Sequence, residues 1–114
     1  MLHAPQNYHG KHGMPHPEVD RMEIERLSFI IEPPNAVDGF IEVDESVWNP
    51  WLRLQKGFVQ KHYQRYPTGR VDIRIFWKSR ADWDAAAQSP QLDALDAKFR
   101  AQFLLLHGGV YIQL

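Results

Sequence analysis

The hydrophobic and polar positions of the chain follow two spacings from Met22 onward, and these spacings predict strands and helices. The segment Met22–Ile31 alternates as a strand does, and Pro33 and Pro34 end it. One face of this strand carries Leu27, Phe29 and Ile31, and the other carries Ile24, Ser28 and Ile30. Because both faces have apolar side chains, we expect both to be covered.

A helix is predicted next, because apolar residues recur three and four positions apart between Val37 and Leu52. Either Asn35 or Asp38 is expected to cap its amino terminus, and Gly57 is expected to follow its last turn. Acidic residues come early and basic residues late, as the helix dipole favours. The apolar stripe consists of Val37, Phe40, Ile41, Val47, Trp48, Trp51 and Leu52.

The pattern in the second half of the chain predicts a hairpin, a helix in two pieces and a last strand. Phe58–Tyr66 and Val71–Trp77 alternate on either side of a Pro-Thr-Gly turn. Ser79–Asp82 resembles a capping box, and Ser89-Pro90 is a typical start for a longer helix. That helix has an apolar stripe of Leu92, Leu95, Phe99, Phe103 and Leu106, Gly108-Gly109 ends it, and Val110, Ile112 and Leu114 alternate after it. The order β-α-β-β-α-β, with a split second helix, predicts an α+β fold of the ferredoxin-like type.

The first 18 residues differ from the rest of the chain in composition. They carry four of the six histidines and several prolines and glycines, with few apolar residues. We expect an irregular arm over 1–18 and one folded domain over 19–114.

Composition narrows the class of protein. The 114 residues suffice for one domain, and a 44% apolar and 24% charged composition is typical of soluble globular chains. A formal net charge of −1 disfavours general nucleic-acid binding, and the absence of cysteine excludes disulfides and thiolate metal sites. No apolar stretch is long enough to span a membrane, so we expect a soluble, cytoplasmic protein with neither a membrane nor a nucleic acid as partner. A signal peptide already removed would leave no trace.

Several segments together resemble a known group of proteins. They are Glu25–Pro33, the helix positions Phe40-Ile41, Asp44, Val47-Trp48 and Leu52, then Gly57-Phe58, Lys61, and Trp77-Lys78-Ser79 with Trp83. Over about residues 22–114 the chain resembles an uncharacterised bacterial family of the dimeric α/β-barrel superfamily, alongside the antibiotic-biosynthesis-monooxygenase-like domains. The resemblance implies a pocket between sheet and helices and a homodimer in which two four-stranded sheets face each other. Members of the superfamily include cofactor-free oxygenases, haem-degrading enzymes and isomerases, so the fold leaves the reaction open.

The sequence also supports the dimer by itself. The sheet face opposite the helices is expected to carry Ile24, Ile30, Phe58 and Tyr66, and these apolar side chains need a cover. The alternative is a monomer with scattered apolar residues on its surface.

Asp44 is the first candidate for chemistry, since a carboxylate there lies in the middle of the apolar stripe of the first helix. One hypothesis makes it a pocket group that acts as a base or orients a polar ligand. The alternatives are an ion pair with Arg74 or Lys61, or a place at the wet edge of the stripe.

Aromatic and amide side chains extend this candidate site. In cofactor-free oxygenases of the superfamily, Trp, Asn, Tyr or His side chains bind a reducing aromatic substrate that itself activates oxygen. By this resemblance Asp44, Trp48 and His62 are candidate catalytic residues of a small-molecule-binding, oxygenase-like protein. Trp51, Asn49, Tyr63 and Trp77 are candidate ligand-binding residues. For the tryptophans, a place in the core is the alternative.

A second hypothesis, from a different class, is metal binding by the arm. His9, His12 and His16 stand within eight residues, with Met14 between them, and imidazole suits Cu, Ni and Zn. His62 or His107 is available to complete such a site. The alternatives are a passive tail, a remnant of cloning, or a packing arm with exposed histidines.

Other classes of chemistry lack their motifs. No G-x-S-x-G, phosphate-binding loop, G-x-G-x-x-G or H-E-x-x-H is present. Lys61, Arg65, Arg70 and Arg74 form a basic cluster around the hairpin, which we interpret as a solvated edge that discourages strand aggregation rather than as an anion site.

Overall fold

A computed structural model describes residues 22–114 of the chain. The strands are β1 (Glu23–Glu32), β2 (Phe58–Arg65), β3 (Arg70–Trp77) and β4 (Val110–Gln113). The helices are α1 (Val37–Arg53), α2 (Arg80–Ala87) and α3 (Leu92–His107). This order confirms the predicted β-α-β-β-α-β plan with a split second helix.

The four strands form one antiparallel sheet in the order β2-β3-β1-β4. Alternate residues of the two central strands, among them Leu27 and Ile73, are buried against the helices. Their neighbours in sequence lie on the other side, which we call the open face. The helices α1 and α3 pack on each other above the covered face.

An aromatic cluster fills the centre of the core. Three rings surround Phe40 of α1. The distances from its ring centroid to theirs are 5.2 Å for Phe29, 5.1 Å for Phe99 and 5.5 Å for Tyr111. These rings come from β1, α3 and β4, so one residue joins the sheet to both long helices. Pairs of this kind add about 0.5–1.5 kcal/mol each beyond area burial.

The ends of α1 differ from the prediction. A short 3₁₀ turn, Pro34–Ala36, leads into the helix, and neither Asn35 nor Asp38 caps it with a side chain. The helix ends at Arg53, so the prediction that Gly57 follows its last turn is wrong. Gly57 has φ +84° in the turn before β2, where an added Cβ would lie 2.2 Å from Asp82 Oδ2.

The predictions for the second half are partly confirmed. Ser79 caps α2, because its Oγ accepts a hydrogen bond of 3.1 Å from the Asp82 N–H. The helix α3 begins at Leu92 rather than at Ser89-Pro90, which form the turn before it. Phe99 and Phe103 are buried as predicted, but Leu106 is 62% exposed and does not belong to the stripe.

The structure corrects two assignments on β2. Phe58 faces the helices and packs against Trp77, at 6.2 Å between ring centroids, so its place on the open face was wrong. Lys61 is buried on the same side, with a side chain 4% exposed, so it is not part of a solvated basic edge. A register shift between Phe58 and Gln60 is the cause, because an extra residue reverses the alternation of sides.

None of the helices within residues 22–114 has both the length and the apolar composition that crossing a bilayer requires.

Candidate functional site

The site centres on Asp44, which α1 holds against the covered face of the sheet. The helical spacing of four puts Phe40, Asp44 and Trp48 on one side of α1, and all three are buried. Asp44 is only 1% exposed. A carboxylate buried to this extent costs free energy unless it is paired and hydrogen-bonded.

Two side chains of β2 supply that pairing. Lys61 and Tyr63 lie two residues apart and therefore point to the same side of the sheet. The Lys61 ammonium and the Tyr63 hydroxyl both donate to Asp44 Oδ2. Of the alternatives stated for Asp44, the ion pair with Lys61 is the one present, whereas Arg74 lies on the open face.

Asn49, one turn further along α1, closes the network. Its Oδ1 accepts a hydrogen bond of 2.8 Å from Lys61 Nζ, and its Nδ2 donates to the Tyr63 oxygen at 3.4 Å. Asp44, Lys61, Asn49 and Tyr63 thus form a closed ring of polar contacts, which we call the Asp44 network.

The protonation of Tyr63 follows from its surroundings. Burial is the largest cause that raises the pKa of Tyr63 far above its ordinary value, and the charge and hydrogen bond of Asp44 raise it further. Asn49 lowers this pKa by a smaller effect. Tyr63 is therefore a neutral hydrogen-bond donor at physiological pH.

A narrow cavity between sheet and helices reaches the network. Its volume is about 10 Å³, roughly the space of one water molecule. The wall is mainly aromatic, with Asp44 at one side: Phe29, Phe40, Asp44, Trp48, Asp96, Phe99, Tyr111 and Gln113. The Tyr111 hydroxyl donates to Asp96 Oδ1 at 3.3 Å, which ties β4 to α3 beside the cavity.

Glu25 is a buried carboxyl that our sequence interpretation missed. It is 0% exposed, Oε1 accepts a 3.1 Å hydrogen bond from Trp77 Nε1, and Oε2 has no partner within residues 22–114. Burial raises the pKa of Glu25 to about 7, against a smaller lowering by the Trp77 hydrogen bond. Its position in the alternation with Leu27, Phe29 and Ile31 was the signal that marks it as buried.

The predicted site residues fall into two groups. Asp44, Asn49 and Tyr63 are brought together, and Trp48 lines the cavity beside them. Trp51, Trp77 and His62 are not part of this arrangement. Trp51 packs edge-on against Trp48 at 5.9 Å, Trp77 donates to Glu25, and His62 lies on the open face beside Phe76 at 5.3 Å.

The metal-binding hypothesis concerns residues that the structure does not describe. His9, His12 and His16 lie outside residues 22–114. Within that range, no group of three His, Cys, Asp or Glu side chains is placed to hold a metal ion. His107 instead makes a 2.9 Å contact with Glu42. Metal binding by the arm stays a prediction.

Comparison with known proteins identifies the fold. No protein-family model matches the sequence, and no curated protein matches it. Among solved structures, the chain is similar to SnoaB, a cofactor-independent oxygenase from Streptomyces nogalater, with a TM-score of 0.55 and 13% identity. That match covers 82% of this chain and 91% of SnoaB.

A second similar structure is a monooxygenase from the gene ActVA-Orf6 of Streptomyces coelicolor, in complex with the ligand nanaomycin D. Its TM-score is 0.55 at 16% identity, over 82% of this chain and 85% of that one. The chain therefore shares the fold of these two proteins, in agreement with the fold that the sequence resemblance predicted.

Proposed function

We propose that the protein binds a small hydroxylated aromatic molecule at Asp44 and oxidises it as a cofactor-free oxygenase. One observation carries the proposal: a buried carboxylate with a fixed cation and a fixed hydroxyl borders a cavity whose walls are aromatic. The two similar structures are described as oxygenases, which supports the class of reaction.

Each member of the Asp44 network has a role in this proposal. Lys61 and Tyr63 both bond to Asp44 Oδ2, which leaves Oδ1 to accept the hydroxyl proton or hydrogen bond of a ligand. The Lys61 cation stabilises negative charge that develops on the ligand oxygen in a site with little water. The surrounding rings hold the aromatic plane of the ligand.

The substrate supplies the electrons of the reaction. Deprotonation of a dihydroxynaphthalene makes it a reductant for dioxygen. One oxygen atom enters the ring and the other leaves as water, which converts 1,5-dihydroxynaphthalene and O₂ into 5-hydroxy-1,4-naphthoquinone and H₂O. Atoms and electrons balance without a further reductant.

The cavity must widen before such a ligand enters, because about 10 Å³ holds one water molecule. The strand β4 is the element best suited to move. It has four residues at the edge of the sheet, pairs with β1 alone, and contributes Tyr111 and Gln113 to the wall. Short edge elements open at lower free-energy cost than central strands.

We also propose that two chains form a homodimer through the open face. Ile30 and Ile112 are direct cross-strand partners there, and Ile112 is 64% and Leu114 63% exposed. An apolar cluster of this kind on a sheet gains free energy when a second sheet covers it.

The test of the oxygenase measures oxygen uptake and quinone absorbance with 1,5-dihydroxynaphthalene. We expect uptake above the rate of the buffer alone, and a loss of most of it in Tyr63→Phe, which removes a donor of the network but keeps the ring. Tyr66→Phe is the matched control, because the Tyr66 hydroxyl bonds to Asp72 on the open face. This variant should keep the wild-type rate.

Binding is followed separately by quenching of tryptophan fluorescence with 2-naphthol, since Trp48 lines the cavity. No quenching and no oxygen uptake would contradict the whole proposal. Quenching without uptake would show a binding protein and contradict the enzymatic part. Equal loss of uptake in both tyrosine variants would remove the Asp44 network from the reaction.

A further inference from the structure

The open face carries basic side chains in one line across three strands. Arg26 of β1 lies directly opposite Arg74 of β3, and Arg74 lies opposite His62 of β2. Like charges directly opposite each other on neighbouring strands destabilise a sheet. The pair Arg26 and Arg74, which we call the arginine pair, therefore favours a negative charge beside it.

The nearest acid does not provide that charge. Asp72 Oδ1 accepts a 2.8 Å hydrogen bond from Arg70 Nε, and Oδ2 accepts one of 3.1 Å from the Tyr66 hydroxyl. The Arg70 hydrogen bond holds the pKa of Asp72 below its usual value, so its charge is present and is matched by Arg70. Arg26 and Arg74 form no ion pair with any residue in the range 22–114.

A cleft of about 290 Å³ lies over these residues. Its polar lining consists of Arg26, Ser28, Gln64, Arg70, Asp72 and Arg74, so three guanidinium groups stand against one carboxylate. Arg70 is held in place by Asp72 and by the Tyr66 ring, 5.5 Å from its guanidinium carbon. The volume is close to the lower end for small-ligand pockets, which suits a single small anionic group.

We propose that this cleft is an oxyanion site that holds a phosphate or carboxylate group between Arg26 and Arg74. A guanidinium group presents paired N–H donors that match two oxygens of such an anion. The Gln64 amide adds a neutral donor, whereas the Ser28 hydroxyl accepts a 3.4 Å hydrogen bond from Arg70 Nη2 and helps to hold that side chain. The site is independent of the Asp44 cavity, because it lies on the opposite side of the sheet.

The oxyanion site also bears on assembly. If two open faces meet, two arginine pairs come together in a space with little water, where uncompensated charge is costly. A bound anion between the sheets then compensates both pairs. The proposal holds for the separate chain as well, since the cleft and the arginine pair are complete in one copy.

The test is calorimetric titration of the full chain with inorganic phosphate at constant ionic strength, and separately with acetate, which tells the two oxyanion classes apart. We expect saturable binding of at least one of them. Arg26→Gln and Arg74→Gln should each weaken that binding about ten- to a hundredfold, the loss expected for hydrogen bonds to a charged group. The matched control Arg80→Gln removes the same charge from α2, on the other side of the sheet, and should bind as wild type does.

Thermal melting in the absence of phosphate and acetate checks that each variant is folded. Arg74→Gln should melt at the wild-type temperature or above, because it removes a like-charge contact. Absence of binding in wild type overturns the proposal, and equal affinity in all four proteins would show an adventitious ion only. The proposal would also be overturned if Arg74→Gln dissociates a dimer whose stability neither phosphate nor acetate changes. That result would show that carboxylates of a second copy supply the negative charge beside the arginine pair.

Discussion

At the scale of single residues, Glu25 makes the stability of the protein depend on pH. Burial raises its pKa from 4.5 to about 7, so the folded chain holds a proton that the unfolded chain releases between these values. The contribution of Glu25 to stability is full below the unfolded pKa and falls as pH rises to about 7. The loss amounts to roughly 3 kcal/mol, since each pKa unit corresponds to about 1.4 kcal/mol.

Glu25→Gln should remove the part of this pH dependence that Glu25 contributes. In urea unfolding at pH 5 and pH 8, the wild type should lose free energy of unfolding at the higher pH, while Glu25→Gln loses less and exceeds the wild type at pH 8. Glu32→Gln is the control, because Glu32 is exposed at the other end of β1. The same pH dependence in Glu25→Gln as in wild type would contradict the assignment.

Asp44 has the opposite energetics, since its charge is matched. Asp44→Asn leaves the buried Lys61 ammonium with neutral amide acceptors only, among them Asn49, and removing one charge of a buried ion pair costs about 3–5 kcal/mol. Asp44→Asn combined with Lys61→Met should recover much of this loss. Urea unfolding of the two single variants and the double variant measures the coupling. Asp38→Asn, at a side chain 84% exposed, should change stability little, and a similar cost at both positions would argue against a buried pair.

The sequence identified Asp44 because a carboxylate in an apolar helical stripe is anomalous. The same anomaly at Glu25 was overlooked in a strand whose two faces both carry apolar residues. Lys61 and His62 show the limit of pattern analysis. Both sets of alternate positions in β2 mix apolar and polar residues, so its alternation does not reveal which side faces the helices. Because of the register shift near Phe58, odd- and even-numbered residues do not keep to the same side along the whole strand.

At the scale of elements, order and type were predictable, whereas boundaries depended on tertiary contacts. The 3₁₀ turn before α1 replaces the expected side-chain cap. Before α3, the Ser89 Oγ accepts a 3.1 Å hydrogen bond from the Gln91 N–H, so this side chain caps the turn that precedes the helix. The junction between α3 and β4 was predicted well, because two glycines after a helical stripe are a strong stop signal. Gly108 there has φ +62°, the left-handed conformation that favours glycine.

The two glycines at this junction should respond differently to alanine. A Cβ at Gly109 would lie 2.2 Å from the Phe103 ring, which is fully buried, whereas a Cβ at Gly108 meets nothing within 4 Å. Gly109→Ala should therefore cost about 1–3 kcal/mol by overpacking, and Gly108→Ala about 1 kcal/mol by backbone strain. Urea unfolding gives both values. A smaller loss for Gly109→Ala than for Gly108→Ala would show that Phe103 moves away at little cost.

At the scale of the whole molecule, the sequence pointed to a dimer for a reason that the structure modifies. Of the apolar residues assigned to the open face, Phe58 belongs to the core, and Tyr66 bonds to Asp72 through its hydroxyl. Ile24 and Ile30 lie on that face as predicted, and Ile30 forms its apolar end with Ile112 and Leu114, next to the arginine pair at the centre of the face. A dimer interface here would join an apolar cluster to a charged cleft.

If the protein is a dimer, sedimentation equilibrium at micromolar concentration should give twice the chain mass of 13.4 kDa. Ile112→Lys should shift the equilibrium to the monomer, because it places a charge in the apolar end of the face without disturbing the core. Leu105→Lys is the matched control, since Leu105 is 80% exposed on α3, on the helix side of the sheet. A monomeric wild type would contradict the proposed dimer of two facing sheets. A dimer that dissociates in Leu105→Lys but persists in Ile112→Lys would move the interface to the helices and leave the open face, with its oxyanion site, exposed to solvent.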